Sequence, residues 1–318
     1  MGDRAREQPS HSVLSPESLV LSLGETLIDL IVTDGAGRLE DAVSFVGRPG
    51  GAPANVTVAL ARLGVASAFG GVVGDDPFGR RLRATPEAAT TLAFAWKDAR
   101  GDGHFWLLRG ADTLLSVADV EAAGIERLAA LVVGSVALAG EPSRSAVGRA
   151  VELAAAAGVP VCFDVNLRPT LWPDLGVARD ACAPIMARAT LLKLSLDDAR
   201  HLGVGDEPVA VVERLRADGA GTRLVVLTDG DRGAWYAATA DAPVRHVPAF
   251  AVAAVEPTGA GDAFTAGLLS RLLASGWAPP TDEDVRYAAA AGALATTRPG
   301  AMDGLPTVGE LEAFLTGM

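Results

Sequence analysis

Cysteine is nearly absent from this chain: Cys162 and Cys182 are the whole complement in 318 residues. Two thiols exclude the disulfide framework of a small secreted domain and have no metal-ligand spacing, so both are expected as packing residues in a reducing cytoplasm. Histidine is scarce too, and His11, His104, His201 and His246 are scattered without a metal-binding pattern. Basic residues fall short of acids, 27 against 39, for a formal charge of −12. That balance excludes a nucleic-acid partner, which requires a basic face, and an anionic substrate would need a local basic pocket. No run is long and apolar enough to span a membrane. Residues Met1 to Ser18 are polar, carry Pro9 and Pro16, and lack the apolar centre of a signal peptide, so residues 1–18 are expected as a disordered tail. The remaining residues, 19–318, are expected as one soluble, globular, cytoplasmic domain, since 49% hydrophobic residues can fill a large core. A GxGxxG turn is missing as well. Leu23-Gly24-Glu25-Thr26 follows the first apolar run without the glycines a pyrophosphate needs, which argues against a nucleotide-dependent dehydrogenase.

What is present is an alternation. Short apolar runs at Leu19 to Leu23, Ala130 to Val136, Val159 to Phe163, Thr190 to Leu194 and Arg223 to Thr228 read as strands, with helix patterns between several of them. In Ala52 to Leu63 the apolar positions Ala52, Val56, Ala59, Leu60 and Leu63 share one helical face and Gly64 stops the run; Ala146 to Ala157 ends likewise at Gly158. The expectation is an α/β fold with a mostly parallel sheet and ligands beyond the carboxyl ends of the strands. No internal repeat or long linker is found. Two segments break the alternation: Gly37 to Gly47, and Thr90 to Arg109, where Thr91 to Trp96 and His104 to Leu108 flank a turn at Ala99 to Gly103. This is hairpin grammar, predicting either a small sheet that covers the site as a lid or a plain surface hairpin.

The most informative stretch is Val255-Glu256-Pro257-Thr258-Gly259-Ala260-Gly261-Asp262-Ala263-Phe264. Glycines let a backbone approach a ligand closely, and the unpaired amides at the start of the following helix form a cradle for an anion. Phosphoryl transfer needs donors aimed at the transferring group and a carboxylate to take the proton of the attacking hydroxyl. Asp262 is placed to be that base, with the Gly259, Ala260 and Gly261 amides as the cradle. The plain structural alternative is a capped helix.

A second signature precedes it: Gly50-Gly51-Ala52-Pro53-Ala54-Asn55-Val56 running into Leu60-Ala61-Arg62-Leu63-Gly64, then Val73-Gly74-Asp75-Asp76-Pro77-Phe78-Gly79. Together, in this order, the two resemble the ribokinase-like, or PfkB, family of carbohydrate kinases, and among them the bacterial fructokinases. The resemblance implies a three-layer α/β/α fold with a small β-sheet lid, built from segments at about 29–49 and 89–112, and an ATP-dependent sugar kinase using Mg2+. It implies that Asp29, Gly50, Gly51 and Asn55 meet the sugar. Arg168, in Asp164-Val165-Asn166-Leu167-Arg168-Pro169, falls where the family reaches into the substrate pocket, and Arg109 is the other cation placed to help. Lys193 and Ser195, Thr228-Asp229-Gly230-Asp231-Arg232-Gly233, Thr258 and Gly300 fall on the nucleotide side. Asp198 stands on the magnesium side where relatives carry Glu, and Glu256 at a monovalent-cation loop that takes K+. Relatives also imply a homodimer paired through the lids.

The chain departs from the family in places. Glu256-Pro257 replaces Asp-Thr, which puts a potassium effect in question, and Tyr287-Ala288-Ala289-Ala290 has alanine where relatives carry Asn. The junction Arg83-Ala84-Thr85-Pro86 runs almost directly into the lid strand, implying a shortened lid. Fructose is the favoured acceptor, with a 2-keto-3-deoxygluconate or related sugar-acid kinase as the alternative. A non-catalytic sugar-binding relative is the reading of another class. Adenosine and hydroxymethylpyrimidine kinases share the fold, and the Asp164 to Trp172 segment speaks against them.

Overall fold

The computed structural model describes residues 18–82, 89–98, 103–217, 224–239 and 241–317. The expected tail up to residue 17, the junction Arg83 to Pro86 and the tip of the lid hairpin at residues 99–102 lie outside the described residues.

Twelve strands are described: β1 (Val20–Leu23), β2 (Leu27–Val32), β3 (Phe45–Gly50), β4 (Ser67–Gly70), β5 (Leu92–Lys97), β6 (Gly103–Leu108), β7 (Ala130–Gly134), β8 (Val161–Asp164), β9 (Leu191–Ser195), β10 (Leu224–Thr228), β11 (Ala234–Ala237) and β12 (Arg245–Val247). The helices are α1 (Ala52–Arg62), α2 (Pro77–Leu82), α3 (Val117–Ala122), α4 (Ser143–Ala157), α5 (Leu175–Arg188), α6 (Leu196–His201), α7 (Pro208–Ala217), α8 (Ala260–Ala274), α9 (Asp282–Ala295) and α10 (Val308–Thr316). Each strand-like run of the sequence is a strand within two residues of its expected ends.

The large sheet has the order β12-β11-β10-β9-β8-β7-β1-β4 and is parallel except at β11 and β12. Its strands read as unbroken apolar runs because both faces are covered. Alternate residues go to opposite layers. Leu21, Leu131, Val133, Phe163, Leu192, Leu194 and Val225 pack against α4, α5 and α7. Val20, Val132, Cys162, Leu191 and Val226 pack against α1, α8, α9 and α10. The result is three layers with two separate cores. Cys162 and Cys182 are free and buried, one in each core, as expected of packing residues.

The small sheet, order β3-β2-β5-β6, is a second body of structure. The predicted hairpin is present, β5 pairing antiparallel with β6 from Leu92↔Leu108 to Lys97↔Gly103. Its partner β2 enters directly after β1, so the chain leaves the main sheet at Gly24 and returns through β3 into α1. Among the described residues no helix is long and apolar enough to cross a membrane.

Candidate active site

The parallel strands all end on one edge, so the loops after β1, β7, β8, β9 and β10 open to the same side. The small sheet folds over that edge and encloses a cavity of about 870 Å3. Period-two alternation sets the roof's inner face, with Leu27, Asp29 and Ile31 of β2, Ala93 and Ala95 of β5, and Phe105 and Leu107 of β6 lining the cavity, joined at the strand ends by Val32, Trp96, Lys97 and His104. Floor and walls come from Glu25 after β1, Asn55 of α1, Asn166 and Arg168 after β8, and the stretch from Val255 to Gly259 with Gly261 and Asp262.

Asp262 lies in the first turn of α8, 6% exposed. Gly259 caps the helix with φ 86°, and a Cβ there would lie 2.7 Å from the Ala301 carbonyl oxygen, so only glycine makes this turn. No side chain caps α8. The Ala260 amide donates to the Pro257 carbonyl (3.2 Å). That corrects the expectation of three cradle amides, since Ala260 has a partner of its own, leaving Gly259 and Gly261 as the candidates. Lys193 adds charge beside them, its Nζ lying 3.0 Å from where a Cβ on Gly261 would sit.

Three carboxyls and an amide converge here. Asn55 Nδ2 donates to Asp262 Oδ2 at 2.8 Å, tying α1 to α8. Burial, with Asp164 adding repulsion, pushes Asp262 up to about 6 from its ordinary 3.8, while Asn55, Lys193 and Arg168 hold it down. Asp29, 5% exposed, is pushed up to about 7, by burial first; Arg168 opposes, and Glu256 and Asp262 reinforce. A Cβ on Gly50 would lie 2.0 Å from Asp29 Oδ2, which explains the glycine opposite this carboxyl.

Lys193 and Asp164 form a buried pair, Nζ reaching Oδ1 at 3.0 Å and Oδ2 at 3.1 Å, with Thr265 Oγ1 donating to Oδ2 at 2.7 Å. Burial alone would lower the ammonium, but the Asp164 carboxylate outweighs it and raises Lys193 above its ordinary value. Arg168 reaches the cavity from a loop where Asn166 adopts φ 42°; its Nη1 donates to Asn166 Oδ1 at 2.7 Å, and its guanidinium lies 5.0 Å from the Phe105 ring centroid of the roof. Two further contacts fasten the roof: Lys97 Nζ donates to the Val255 carbonyl (3.1 Å), and Arg48 pairs with Asp303.

Other expected residues fall elsewhere. Arg109 does not line the cavity: it is consumed by Asp112, its Nε donating to Oδ2 at 2.6 Å, and by the Val136 carbonyl. Its expected contact with the sugar is therefore corrected. Ser195 and Asp198 form a reciprocal cap on α6, and Asp198 accepts the Leu167 amide on Oδ1 and the Ser195 amide on Oδ2, both at 2.8 Å. Each oxygen is thus already held by one backbone amide, which fixes the carboxylate and leaves it one further acceptor site per oxygen. Among the described residues no three acidic, histidine or cysteine side chains gather as a metal centre. Glu256 Oε2 accepts the Gly300 amide at 2.9 Å, closing the loop where the monovalent cation was expected. Thr228 ends β10, and Gly230 and Gly233 bracket a tight turn closed by the Asp229 amide on the Gly233 carbonyl (2.9 Å). Thr258 lines the cavity.

Sequence reasoning missed Glu25, the Lys193–Asp164–Thr265 cluster and the roof residues Phe105 and Leu107. The alternation of Phe105 and Leu107 in a hairpin strand was a usable signal for the roof. No local signal marks the cluster, whose members are up to 101 residues apart.

The chain matches the family described as pfkB family carbohydrate kinase over residues 17–308. It is 40% identical over 316 residues to the fructokinase of Klebsiella pneumoniae, covering 92% of this chain and 98% of that one. Among solved structures, a fructokinase double mutant from Vibrio cholerae O395 in fructose, ADP and potassium ion bound form superposes with TM-score 0.79 at 31% identity, over 95% of this chain and 99% of that one. A putative ribokinase II from E. coli in complex with ATP and Mg2+ superposes with TM-score 0.82 at 27% identity, over 95% and 100%.

Proposed function

Because the chain belongs to the pfkB family of carbohydrate kinases, we propose that it transfers the terminal phosphoryl group of ATP to a primary hydroxyl of fructose. The observation that carries this reading is Asp262 itself: a buried carboxyl, fixed by Asn55, set one residue beyond an uncapped glycine turn at a helix N-terminus, and opening on a cavity walled by polar groups.

Asp262 takes the proton of the attacking hydroxyl. At about 6 its proton affinity is high enough to make it an effective base and low enough to leave it ionised at neutral pH. The Gly259 and Gly261 amides and the Lys193 ammonium stabilise charge on the phosphoryl group in transit. Asp29, Asn55 and Arg168 orient the remaining hydroxyls, and the roof excludes water that would otherwise hydrolyse the donor. The nucleotide lies along Thr228, Gly230, Gly233, Thr258 and Gly300, with Lys193 and Ser195 on its phosphate side. When bound, Mg2+ would neutralise charge on the polyphosphate, with Asp198 the residue that would hold it through water, and Glu256 would be the side chain nearest a K+ held at the loop it closes. Fructose is favoured because relatives named fructokinase match nearly the whole chain and one such structure holds fructose.

The outer face of the small sheet pairs with a second copy. Phe45 (39% exposed), Trp106 (46%) and Leu108 (53%) form an apolar strip there with Phe94, whose ring centroid is 5.5 Å from that of Trp106.

A coupled ADP-release assay with Mg-ATP, with and without K+, against fructose, 2-keto-3-deoxygluconate, ribose, glucose and adenosine tests the reading. Fructose should give the highest kcat/KM. Preference for the sugar acid would move the substrate assignment, and silence across the panel with sugar still bound in calorimetry would replace catalysis with binding alone.

A further inference from the structure

Glu25 stands at the cavity wall with one carboxyl oxygen used and the other idle. Oε1 accepts the Ala52 amide at 3.2 Å, at the open N-terminus of α1. Oε2 is buried with no hydrogen-bond partner among the described residues, although the residue is only 3% exposed. Buried acceptors in native proteins are nearly always paired, so an idle one facing a cavity marks a missing donor. Asn55, one turn along the same helix, repeats the pattern: its Nδ2 holds Asp262 while its Oδ1 has no partner. Two idle acceptors on one wall ask for a ligand rich in hydroxyl donors.

We propose that Glu25 is a specificity-determining residue of the acceptor site, its Oε2 accepting a hydroxyl of the bound sugar other than the one phosphorylated, while its Oε1 holds the first turn of α1. The proposal rests on the kinase reading above. The surroundings agree with it. Burial, with Asp112 adding repulsion, pushes Glu25 up to about 7, against the pull of its own backbone amide first and then of Arg109 and Arg168. A donor brought by the substrate stabilises the carboxylate form. Arg109 and Asp112, paired with each other, act on Glu25 in opposite directions, and neither bonds to Oε2.

The test is a cycle between enzyme and ligand. Fructose and a series of singly deoxygenated ketohexoses are compared on wild type, Glu25→Gln and Glu25→Asp by turnover and by calorimetric sugar binding. Gln retains an Oε1 for the Ala52 amide, so the fold is kept, and because burial raises Glu25 to about 7 the variant should melt no lower than wild type at pH 8. The expected result is a rise of about ten- to a hundredfold in sugar KM for Glu25→Gln, with KM for ATP little changed. One deoxy sugar should be handicapped on wild type and lose that handicap on the variant, which a purely structural role would not produce. If every deoxy sugar keeps the same penalty in both enzymes, Glu25 touches no hydroxyl and the proposal is overturned while the kinase stands. Should Glu25→Gln fail to fold, a wild-type deoxy series in which the only penalty is at the phosphorylated hydroxyl overturns it equally. Wild type that binds sugar without turnover sinks the kinase reading, and the binding arm then decides Glu25 alone.

Discussion

Replacing Asp262 by Asn should make the protein more stable and almost inactive, a combination that separates a functional carboxyl from a structural one. Burial holds the folded-state value of Asp262 at about 6 against an ordinary 3.8. A carboxyl raised in this way binds its proton more tightly in the folded chain. Its contribution favours folding below the unfolded value and is lost as pH climbs through 3.8 toward 6, so at pH 8 the ionised group opposes folding. The difference, at about 1.4 kcal/mol for each tenfold change, is about 3 kcal/mol as an upper bound. Spread over an unfolding entropy near 2 cal/mol/K per residue, that is a gain of roughly 4 °C in Tm for Asp262→Asn at pH 8, vanishing near pH 4. Asn can still accept from Asn55 Nδ2, so the link between α1 and α8 survives. Activity should fall by about 10²- to 10⁴-fold, the usual worth of a general base. In wild type kcat/KM should fall as pH drops below about 7 and fall more steeply below about 6, as Glu25 and Asp29 and then Asp262 of the free enzyme take up protons. Calorimetric melts of both proteins at pH 4, 6 and 8, beside the rate profile, carry the test. A variant that melts below wild type at pH 8, or that keeps a tenth of the activity, would refute the argument.

Lys193→Met should remove one half of a pair whose side chains are 6% and 5% exposed. It leaves the Asp164 carboxylate with Thr265 alone, a loss of about 3–5 kcal/mol measurable by urea unfolding; a loss below 1 kcal/mol would show that the charge relocates or is neutralised without consequence. Trp106→Glu places charge in the outer strip of the small sheet, and light scattering should report a monomer where wild type is a dimer. A dimer that survives the substitution must be built on another surface.

The large sheet was legible because its strands are buried on both faces and therefore unbroken in the sequence, and because Gly64 and Gly158 punctuate the helices they follow. The site was half legible. Asp262, Asn55 and Gly50 stand at helix starts or beside tight backbone approaches, where residue type is dictated locally. Arg109 misled because a cation near a strand end looks free until its partner is known, and Asp112, three residues on, takes it. Asp198 was legible only in part: its spacing three residues after Ser195 spells a helix cap, which the structure has, and the same spelling would serve a residue that faces an ion through water. Glu25 was invisible because nothing in Gly24-Glu25-Thr26 reveals that Ala52 will claim one of its oxygens and leave the other.

The roof and the floor of the cavity belong to different sheets. Leu27, Ile31, Ala93, Ala95, Phe105 and Leu107 hang from the small sheet, while Asp262 and its glycine turn are rooted in the core beneath α8. Substitutions far enough apart to share no partners add independently. Roof residues can therefore change, and with them the part of the sugar contact that the roof supplies, while the proton-transfer machinery below is left untouched.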